Sequence, residues 1–377
     1  MKVAVTTLAF CVAALLALGL VMLYSSSVTQ VGAHYLMMQL IWCAFGFILC
    51  VTATALDYQW LKKLAWPVFI LAVVLLALVL EKHLGVVRGH ARRWFSFHGV
   101  SFQPSELGKI ALIIMLAWYG DRYQRQMQTW KRGIIFPGAL IVLMLGLVFV
   151  EPDRGTTILL AAVSGTMLLI AGVRLIYIVP PVLLGAAGLA VSILRDPMRL
   201  RRIFGWWDME QHKDGVGYQA YQAMIALGSG GWTGLGLGNG RQKLGFVPED
   251  HTDFIFSIIG EELGLIATLL VVLAFVVIAI CGIYIVLRAR DPFGSLLAAG
   301  LTFLISLQAA INIGVVTSAL PNKGLPLPFI SYGGSNLLAM LTCVGLLFSI
   351  ARHAPAREKV RATAAVIDEN PFAAKAT

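Results

Sequence analysis

The sequence predicts an all-α polytopic membrane protein with about ten transmembrane helices. Of its 377 residues, 59% are hydrophobic and 13% are charged, whereas charged residues make up about 25% of an ordinary soluble domain. Long stretches without charge recur along the chain, and about 20 apolar residues are enough for a helix to cross the hydrocarbon core of a bilayer. These observations predict one membrane-embedded domain over residues 1–352.

Ten stretches are apolar over most or all of the thickness of a bilayer, and two of them, 105–119 and 156–172, are short. The predicted spans are residues 4–24, 36–55, 64–80, 105–119, 133–150, 156–172, 174–194, 254–287, 293–318 and 335–351. An even number of spans places both termini on the same side of the membrane.

The basic residues decide which side that is. With ten spans, Lys2, the cations of 122–132, and those of 352–361 all fall on one side. Short cytoplasmic loops are rich in Lys and Arg, so this side, with both termini, is predicted to be cytoplasmic. The net charge of +10 therefore indicates mainly how the protein is oriented in the membrane, and it gives no reason to expect nucleic-acid binding.

Two segments on the predicted outer side are long, residues 81–104 and 195–253, and the second connects helices 7 and 8; residues 319–334 form a further outer segment. They carry cations, which long translocated loops tolerate. Cations on the outer face of a membrane are also well placed to hold an anionic headgroup. The remaining segment, 353–377, is polar and rich in alanine, and it is predicted to be a disordered cytoplasmic tail.

Asp253 lies where the large outer segment meets the apolar run that forms helix 8. A carboxylate at a membrane boundary is costly unless it has a function or a partner. An aspartate just before an apolar run is also the pattern of a helix N-cap, which is the default interpretation. A third interpretation is a divalent-metal site that Asp253 shares with Glu249 or Asp250, because oxygen ligands suit Mg²⁺ or Mn²⁺.

Two further motifs lie on the same predicted side. In QPSELGK, Pro104 or the next residue starts a helix with Glu106 in its first turn and Lys109 on the same face. This pair is either a helix-start ion pair or a cation that faces a polar cavity. In LPNKGLPLPFISYGGSN (320–336), prolines prevent a helix and the apolar residues predict a re-entrant segment, in which Lys323 is the only charge.

Two motifs have simpler default interpretations. EPDRGTT brings Glu151, Asp153 and Arg154 together in what is expected to be a self-satisfied turn. GSGGWTGLGLGNG allows close backbone turns and amides aimed at an anion. It lacks the spacing of a dinucleotide fingerprint, and the chain has no Walker lysine, so no nucleotide cofactor is expected.

Four motifs together resemble the SEDS family, the polytopic glycosyltransferases of bacterial shape, elongation, division and sporulation. They are QPSELGK (103–109), EPDRGTT (151–157), the run from Gly217 to Gly264, and LPNKGLPLPFISYGGSN (320–336). LGNGRQKL, PEDHTDFIF and LPNKG are more similar to the division members than to the elongation members. The chain departs from the family at Asn336, which stands where a second serine is usual.

The resemblance implies an enzyme that polymerises lipid II, the undecaprenyl-pyrophosphate-linked disaccharide-pentapeptide, at the outer face of the bacterial inner membrane. Septal cell-wall synthesis is the implied setting, and the implied partners are a class B penicillin-binding transpeptidase, other divisome membrane proteins and membrane lipids. The family's essential aspartate falls on Asp253. No cofactor is required, and a divalent cation (Mg²⁺ or Mn²⁺) stays open. The alternatives are an elongation-type polymerase, a lipid II flippase or transporter, and a non-catalytic scaffold.

The chemistry of glycan extension assigns roles to these residues. A sugar hydroxyl must lose its proton as it attacks, so Asp253 is the predicted general base, assisted by like-charge repulsion from Glu249 and by the apolar residues that follow it. The leaving pyrophosphate needs fixed cations and donors. Its predicted ligands are Lys109, Lys323, Arg93, Arg201, Arg202, Arg241 and Ser331. Structural roles are predicted for Glu106, Asp153, Glu261 and Glu262, the last two pairing with interhelical donors or with Lys109.

Overall fold

The structure is a computed structural model, which describes residues 1–27, 32, 34–81, 85–88, 91–97, 100–247 and 251–354. Twelve α-helices and three short strands lie in these residues. The helices are α1 (Lys2–Ser27), α2 (His34–Ala55), α3 (Trp60–Val79), α4 (Pro104–Arg122), α5 (Phe136–Val150), α6 (Arg154–Ile170), α7 (Leu175–Leu194), α8 (Pro197–Trp207), α9 (Tyr218–Ser229), α10 (Ile255–Arg288), α11 (Pro292–Val316) and α12 (Gly334–Arg352). A 3-10 turn, Gln124–Gln126, and a π-helical turn, Lys131–Ile135, precede α5.

All ten predicted spans are helical, and α8 and α9 are additional helices in the large segment between α7 and α10. Within the described residues, eight helices are long and apolar enough to cross a membrane. Of the predicted spans, α4 and α6 are not among these eight. The first carries charges such as Glu106 and Lys109, and the second has only 17 residues.

The middle of the bundle is formed by α4, α11 and α12. In α12, 78% of the most apolar 18-residue window is buried, whereas in α7 the buried share is 6%. Nearly every residue of α4 from Pro104 to Gly120 is buried, including the charged ones. The charged α4 therefore lies inside the protein and the apolar α7 lies at the outside of the bundle, as the cost of polar groups in hydrocarbon predicts.

The segments that connect the helices lie at the two ends of the bundle, and hydrogen bonds hold together the segments at each end. At one end, Trp206 Nε1 donates to the Ser318 carbonyl (2.8 Å) and Ser331 Oγ donates to the Thr252 carbonyl (2.6 Å). We call this end, with the strands, residues 151–153, α8, α9, and residues 230–247, 251–254 and 317–333, the site face. At the opposite face, the Tyr58 hydroxyl donates to Asp291.

The segment 81–104 contains a three-stranded antiparallel sheet, β1 (Val86–Arg88), β2 (Ala91–Phe97) and β3 (Val100–Phe102), in the order β1-β2-β3. The register pairs Phe95 with Phe102 and Val86 with Trp94. This segment was expected to be a loop. Two of its strands have only three residues, too few to show an alternating pattern, and pairing between neighbours stabilises them instead.

The glycine-rich segment enters a break in α10. Gly264 has φ 77° and ψ −172°, which is not helical and which residues with a side chain rarely adopt. Leu265 N donates to the Gly231 carbonyl (2.9 Å), and Leu235 N donates to the Glu261 carbonyl (3.0 Å). The prediction of one unbroken helix over 254–287 is therefore wrong, because the glycine-rich backbone replaces the helical hydrogen bonds at this turn.

Candidate active site

Asp253 lies immediately before α10 and is held through its backbone. Asn312 Nδ2 donates to the Asp253 carbonyl (2.8 Å) and to the Leu325 carbonyl (2.7 Å), so that α11 joins the two segments. The N-cap of α10 is Phe254, which makes no side-chain capping bond. Asp253 therefore lies one residue before the N-cap position, and Oδ2 of its carboxylate has a neighbour in a different segment.

That neighbour is the irregular segment between α11 and α12, residues 317–333. A Cβ atom added to Gly324 would lie 2.5 Å from Oδ2 of Asp253, so the carboxylate rests against bare backbone. Leu325, Leu327 and Ile330 of this segment are buried, which confirms that it is an irregular segment packed inside the protein. The contact places Asp253 next to the residue that follows Lys323.

Lys323 is half-buried among other cations. Burial lowers its pKa, and the charges of Arg154, Arg199 and Arg202 lower the pKa further, while Asp153 opposes them. These four cations make this side of the site positive. Such a concentration of charge favours an anionic ligand.

Ser331 lies at the end of the same segment and is 3% exposed. Its hydroxyl donates to the Thr252 carbonyl (2.6 Å) and accepts from Leu327 N (2.8 Å). The hydroxyl thus positions the backbone just before Asp253. Direct contact between Ser331 and a substrate stays a prediction.

Arg93 of β2 reaches the turn between α5 and α6. Its Nε donates to the Glu151 carbonyl (2.9 Å), its Nη2 donates to the Pro152 carbonyl (2.6 Å), and its Nη1 lies 3.8 Å from Oδ2 of Asp153. Asp153 caps α6, because its carboxylate accepts from Thr156 N and Oγ1, each at 3.0 Å. Both side chains hold the turn that presents α6 to the site, and the capping contact agrees with a structural role for Asp153.

The Glu151 side chain does not make the hydrogen bonds that a self-satisfied turn would provide. It is fully buried, and within the described residues neither carboxyl oxygen has a hydrogen-bond partner. Burial and the charge of Asp153 raise the pKa of Glu151 to about 8, although Arg93 lowers it. The folded protein therefore favours the protonated form of Glu151. The sequence gives no signal of this, because EPD reads as an ordinary acidic turn.

Lys109 is completely buried in the middle of the bundle, next to the re-entrant segment rather than at the surface of the site. Its Nζ lies 2.8 Å from Glu106 and donates to Gln308 Oε1 at 2.9 Å. Gln308 in turn donates to the Pro326 carbonyl and to Asn336 Oδ1, each at 2.9 Å. Of the two interpretations of the Glu106–Lys109 motif, the ion pair is present, but it is buried. Pyrophosphate binding by Lys109 stays a prediction.

Glu261 and Glu262 organise the glycine-rich segment. Glu261 accepts from the backbone amides of Arg241 (2.8 Å) and Gln242 (3.2 Å). Within the glycine-rich motif itself, Gly238 N donates to Glu262 Oε2 (3.1 Å), so an amide that the sequence suggests for an anion binds a carboxylate of the protein. Arg241 itself is exposed, and with Glu261 it lines a groove of about 550 Å³ beside α9.

Glu262 is paired with Lys243 and not with Lys109. Lys243 Nζ lies 2.6 Å from Glu262 Oε1 and 2.9 Å from Ser25 Oγ, and Ser25 Oγ donates to Glu262 Oε2 (2.6 Å). All three side chains are buried. The expected interhelical donors are thus found on α1 and on the segment before Asp253, because the break in α10 brings that segment against the helix.

The remaining predicted residues are divided between the exposed surface and the part of the chain that is not described. Arg201 and Arg202 of α8 are exposed on the site face. Glu249 and Asp250 lie outside the described residues, so a metal site that either shares with Asp253 stays a prediction. Among the residues described, no group of three or more His, Cys, Asp or Glu side chains could hold a metal ion.

The fold and the charged site define a multi-pass α-helical membrane protein whose functional groups gather at one end of the bundle. The chain belongs to the cell cycle protein family FTSW_RODA_SPOVE, whose model matches residues 6–356. The resemblance to the SEDS proteins drawn from the motifs is thereby confirmed.

Three similar proteins illustrate the relationship. The probable peptidoglycan glycosyltransferase FtsW of Trichlorobacter lovleyi is 38% identical over 346 residues, which cover 90% of this chain and 91% of that protein. A chain of a peptidoglycan synthase complex matches with a TM-score of 0.76 and 26% identity over 92% of this chain and 96% of its own length. The rod shape determining protein RodA of Thermus thermophilus matches with a TM-score of 0.70 and 26% identity, over 93% of this chain and 97% of that chain.

Proposed function

We propose that the protein is a peptidoglycan glycosyltransferase that polymerises lipid II into glycan strands at the extracytoplasmic face of the cytoplasmic membrane. The observation that carries the proposal is the contact of the Asp253 carboxylate with Gly324 at the site face. Gly324 directly follows Lys323, whose pKa is lowered by the charges of three arginines. A base next to a cluster of cations is what the attack of a hydroxyl on a pyrophosphate-linked sugar requires. The FtsW relative carries the same activity in its name.

In the proposed reaction, a sugar hydroxyl of one lipid-linked substrate attacks the anomeric carbon of the other. The new carbon–oxygen bond forms as the bond from that carbon to the pyrophosphate oxygen breaks. The hydroxyl proton passes to the Asp253 carboxylate, and the leaving undecaprenyl pyrophosphate keeps the electron pair. General-base assistance of this kind contributes about 10²–10⁴-fold to a rate.

The cations stabilise the charge of the leaving group. Lys323 is the principal candidate because it is half-buried and adjacent to the Asp253 contact. Arg201, Arg202 and Arg241 are exposed on the same face and extend the positive surface. Arg93 and Ser331 act by positioning the turn and the backbone around the site. A divalent cation, if one is used, would be held by Asp253 and Glu249.

The setting of the reaction belongs to the same proposal. We place the protein at the division septum beside a class B penicillin-binding transpeptidase, together with other divisome membrane proteins. Support comes from the FtsW relative and from the match to a complex that coordinates polymerization with crosslinking. The elongation-type alternative predicts the same chemistry with a different partner.

The test is Asp253→Asn in the purified full-length protein, combined with the partner transpeptidase and given labelled lipid II. Asparagine keeps the size of the side chain but cannot accept the proton, so glycan polymer should fall by at least about a hundredfold. Asp214→Asn is the matched control, because Asp214 is an exposed acid of the same outer segment. Polymer formation at a near-normal rate by folded Asp253→Asn would exclude the general base. Lipid II transport across vesicles without polymer would support a flippase instead.

A further inference from the structure

We propose that Arg154, Ser192 and Arg199, with Arg202, form a binding site for a lipid phosphate at the junction of α6, α7 and α8. The sequence-based roles above include Arg202 as a pyrophosphate ligand and Arg154 only as part of a turn, and they give none to Ser192 and Arg199. The ligand of this site is the phosphate of a membrane lipid, either a lipid-linked pyrophosphate or a phospholipid headgroup. If the ligand is the pyrophosphate, the inference rests on the proposed function; if it is a headgroup, it does not.

Two guanidinium groups meet at one hydroxyl. Arg154 Nη1 donates to Ser192 Oγ, and Arg199 Nη1 lies 3.4 Å from both the Oγ and the carbonyl oxygen of Ser192. These arginines come from the first residue of α6 and from α8, whereas the serine lies in the last turn of α7. Two like charges held this close repel each other unless an anion lies between or beside them.

The arginines keep unused donors. A guanidinium has five N–H groups in a planar fork that matches two oxygens of a phosphate. Within the described residues, Arg154 Nε is buried and has no hydrogen-bond partner. The hydroxyl and carbonyl oxygens of Ser192 accept from only some of the N–H donors of Arg154 and Arg199. An anion with several oxygens would accept from the remaining donors.

One carboxylate pairs with one of these three arginines. Asp196 lies 2.9 Å from Arg199 Nε, and it also caps α8 by accepting from Met198 N. Arg202 has no salt bridge within the described residues, and Arg154 contacts the Phe149 ring instead of an acid. The site therefore has a surplus of positive charge.

Asp153 is the other nearby acid, but its oxygens accept from Thr156, and Arg93 lies 3.8 Å away. Arg199 and Arg202 lie three residues apart on α8 and so are neighbours on that helix. The charges of Arg154, Arg199 and Arg202 all lower the pKa of Lys323.

The position of the arginines relative to the apolar helix α7 indicates that the phosphate belongs to a lipid. Ser192 lies in the last turn of α7, whose side chains are exposed and apolar up to Leu194. α8 follows at once with arginines on one side and Trp206, whose Nε1 fastens the helix to the Ser318 carbonyl (2.8 Å). A cationic helix after an apolar span lies at the boundary between hydrocarbon and water, where lipid phosphates are found.

The test measures binding with the full-length protein in nanodiscs of phosphatidylcholine. One arm titrates undecaprenyl pyrophosphate, and the second arm titrates phosphatidylglycerol. The variant is the double substitution Arg154→Gln and Arg199→Gln, with each single variant in parallel. Arg195→Gln is the control, because Arg195 is an exposed arginine at the end of α7 that belongs to no proposed site.

We expect the double variant to bind at least one probe about tenfold more weakly or worse, and the control to stay within about twofold of the unmodified protein. Loss limited to undecaprenyl pyrophosphate identifies a substrate site, and loss limited to phosphatidylglycerol identifies a headgroup site. Unchanged affinity for both probes, in a double variant that melts like the unmodified protein, overturns the proposal. If the double variant does not fold, the single variants decide in the same way.

The outcome is separable from that of the proposed polymerase activity, because no turnover is measured. Asp253→Asn protein should bind both probes as well as the unmodified protein does. The phosphate site can therefore fail while Asp253 proves to be the base, and the reverse result is equally distinguishable.

Discussion

Gly324 and Asp253 are in contact in a way that only glycine allows, since a Cβ at position 324 would lie 2.5 Å from the carboxylate Oδ2. The two residues lie on segments separated by all of α10 and α11, and Asn312 ties their backbones together through bonds of 2.7 and 2.8 Å. The carboxylate therefore has a position set by the neighbouring backbone rather than by its own helix.

The first prediction concerns this contact. Gly324→Ala should lower the rate of glycan polymerisation by about tenfold or more, because the new methyl group must displace the carboxylate and about 1.4 kcal/mol of barrier is a factor of ten. Gly324 does not have a positive φ, so the methyl group, and not backbone strain, causes the loss. The measurement is the initial rate of labelled polymer formation at fixed protein and lipid II.

The control for this prediction is Gly228→Ala, at the end of α9, where an added Cβ meets nothing within 4 Å. It should leave both the rate and the melting temperature unchanged. A rate for Gly324→Ala equal to that of the control would show that the position of the Asp253 carboxylate does not limit the reaction.

The second prediction concerns the buried pair Lys243–Glu262, joined at 2.6 Å and shielded from solvent. Glu262→Gln removes the carboxylate charge that lies 2.6 Å from the buried ammonium, and breaking such a pair costs about 3–5 kcal/mol. We expect a clearly lower melting temperature in detergent and a loss of activity. The double variant Lys243→Met with Glu262→Gln should recover much of the stability, and a Glu262→Gln protein that melts like the unmodified one would contradict the prediction.

The third prediction follows from Glu151. Its pKa is raised from the model-compound value of 4.5 to about 8, so between these pH values the unfolded chain is ionised there while the folded protein keeps the proton. Unfolding then releases a proton, and the free energy of unfolding falls as pH rises, by up to about 1.4 kcal/mol per pH unit. The apparent melting temperature should therefore decrease between pH 6 and about 8, with the slope flattening above the folded pKa.

Glu151→Gln removes this dependence, because the amide is neutral throughout, and its melting temperature should exceed that of the unmodified protein increasingly as pH rises. Glu210→Gln, at an exposed acid after α8, should keep the original slope. Parallel curves for the unmodified protein and Glu151→Gln would mean that Glu151 is ionised in the folded state.

Much of the fold could be predicted from hydropathy and charge. All ten spans are helical, α4 begins at Pro104 as its motif indicates, and the segment after α11 is buried and irregular. These features depend on composition over many residues, which the sequence displays directly. The sheet and the break at Gly264 depend on pairing with other segments, so they have no equally clear local pattern.

The candidate site divides in the same way. Asp253 and Lys323 were predicted from their positions and from the family resemblance, and the structure brings their segments together. The partner of Glu262 is Lys243, which a sequence cannot identify because it depends on how far the glycine-rich segment enters the break in α10. The contact between Arg154 and Ser192 could not be predicted, because it joins the start of α6 to the end of α7, and EPDRGTT indicates only a local turn for Arg154.

The last prediction concerns the orientation of the site face. Lys213, an exposed residue between α8 and α9, should lie outside the cytoplasmic membrane if the short basic loops are cytoplasmic. Lys213→Cys should react with a membrane-impermeant maleimide in intact spheroplasts. Lys131→Cys, an exposed position before α5 on the opposite face, should react only after permeabilisation.

The native cysteines that the structure describes, Cys11, Cys43, Cys50, Cys281 and Cys343, lie within helices, and the unmodified protein sets the background. The reverse pattern, with position 131 labelled from outside and position 213 protected, would put the charged site in the cytoplasm. Lipid II is polymerised on the outer side of the membrane in the proposed function. Such a pattern would therefore require a different substrate for Asp253, even if the fold and every contact described above were unchanged.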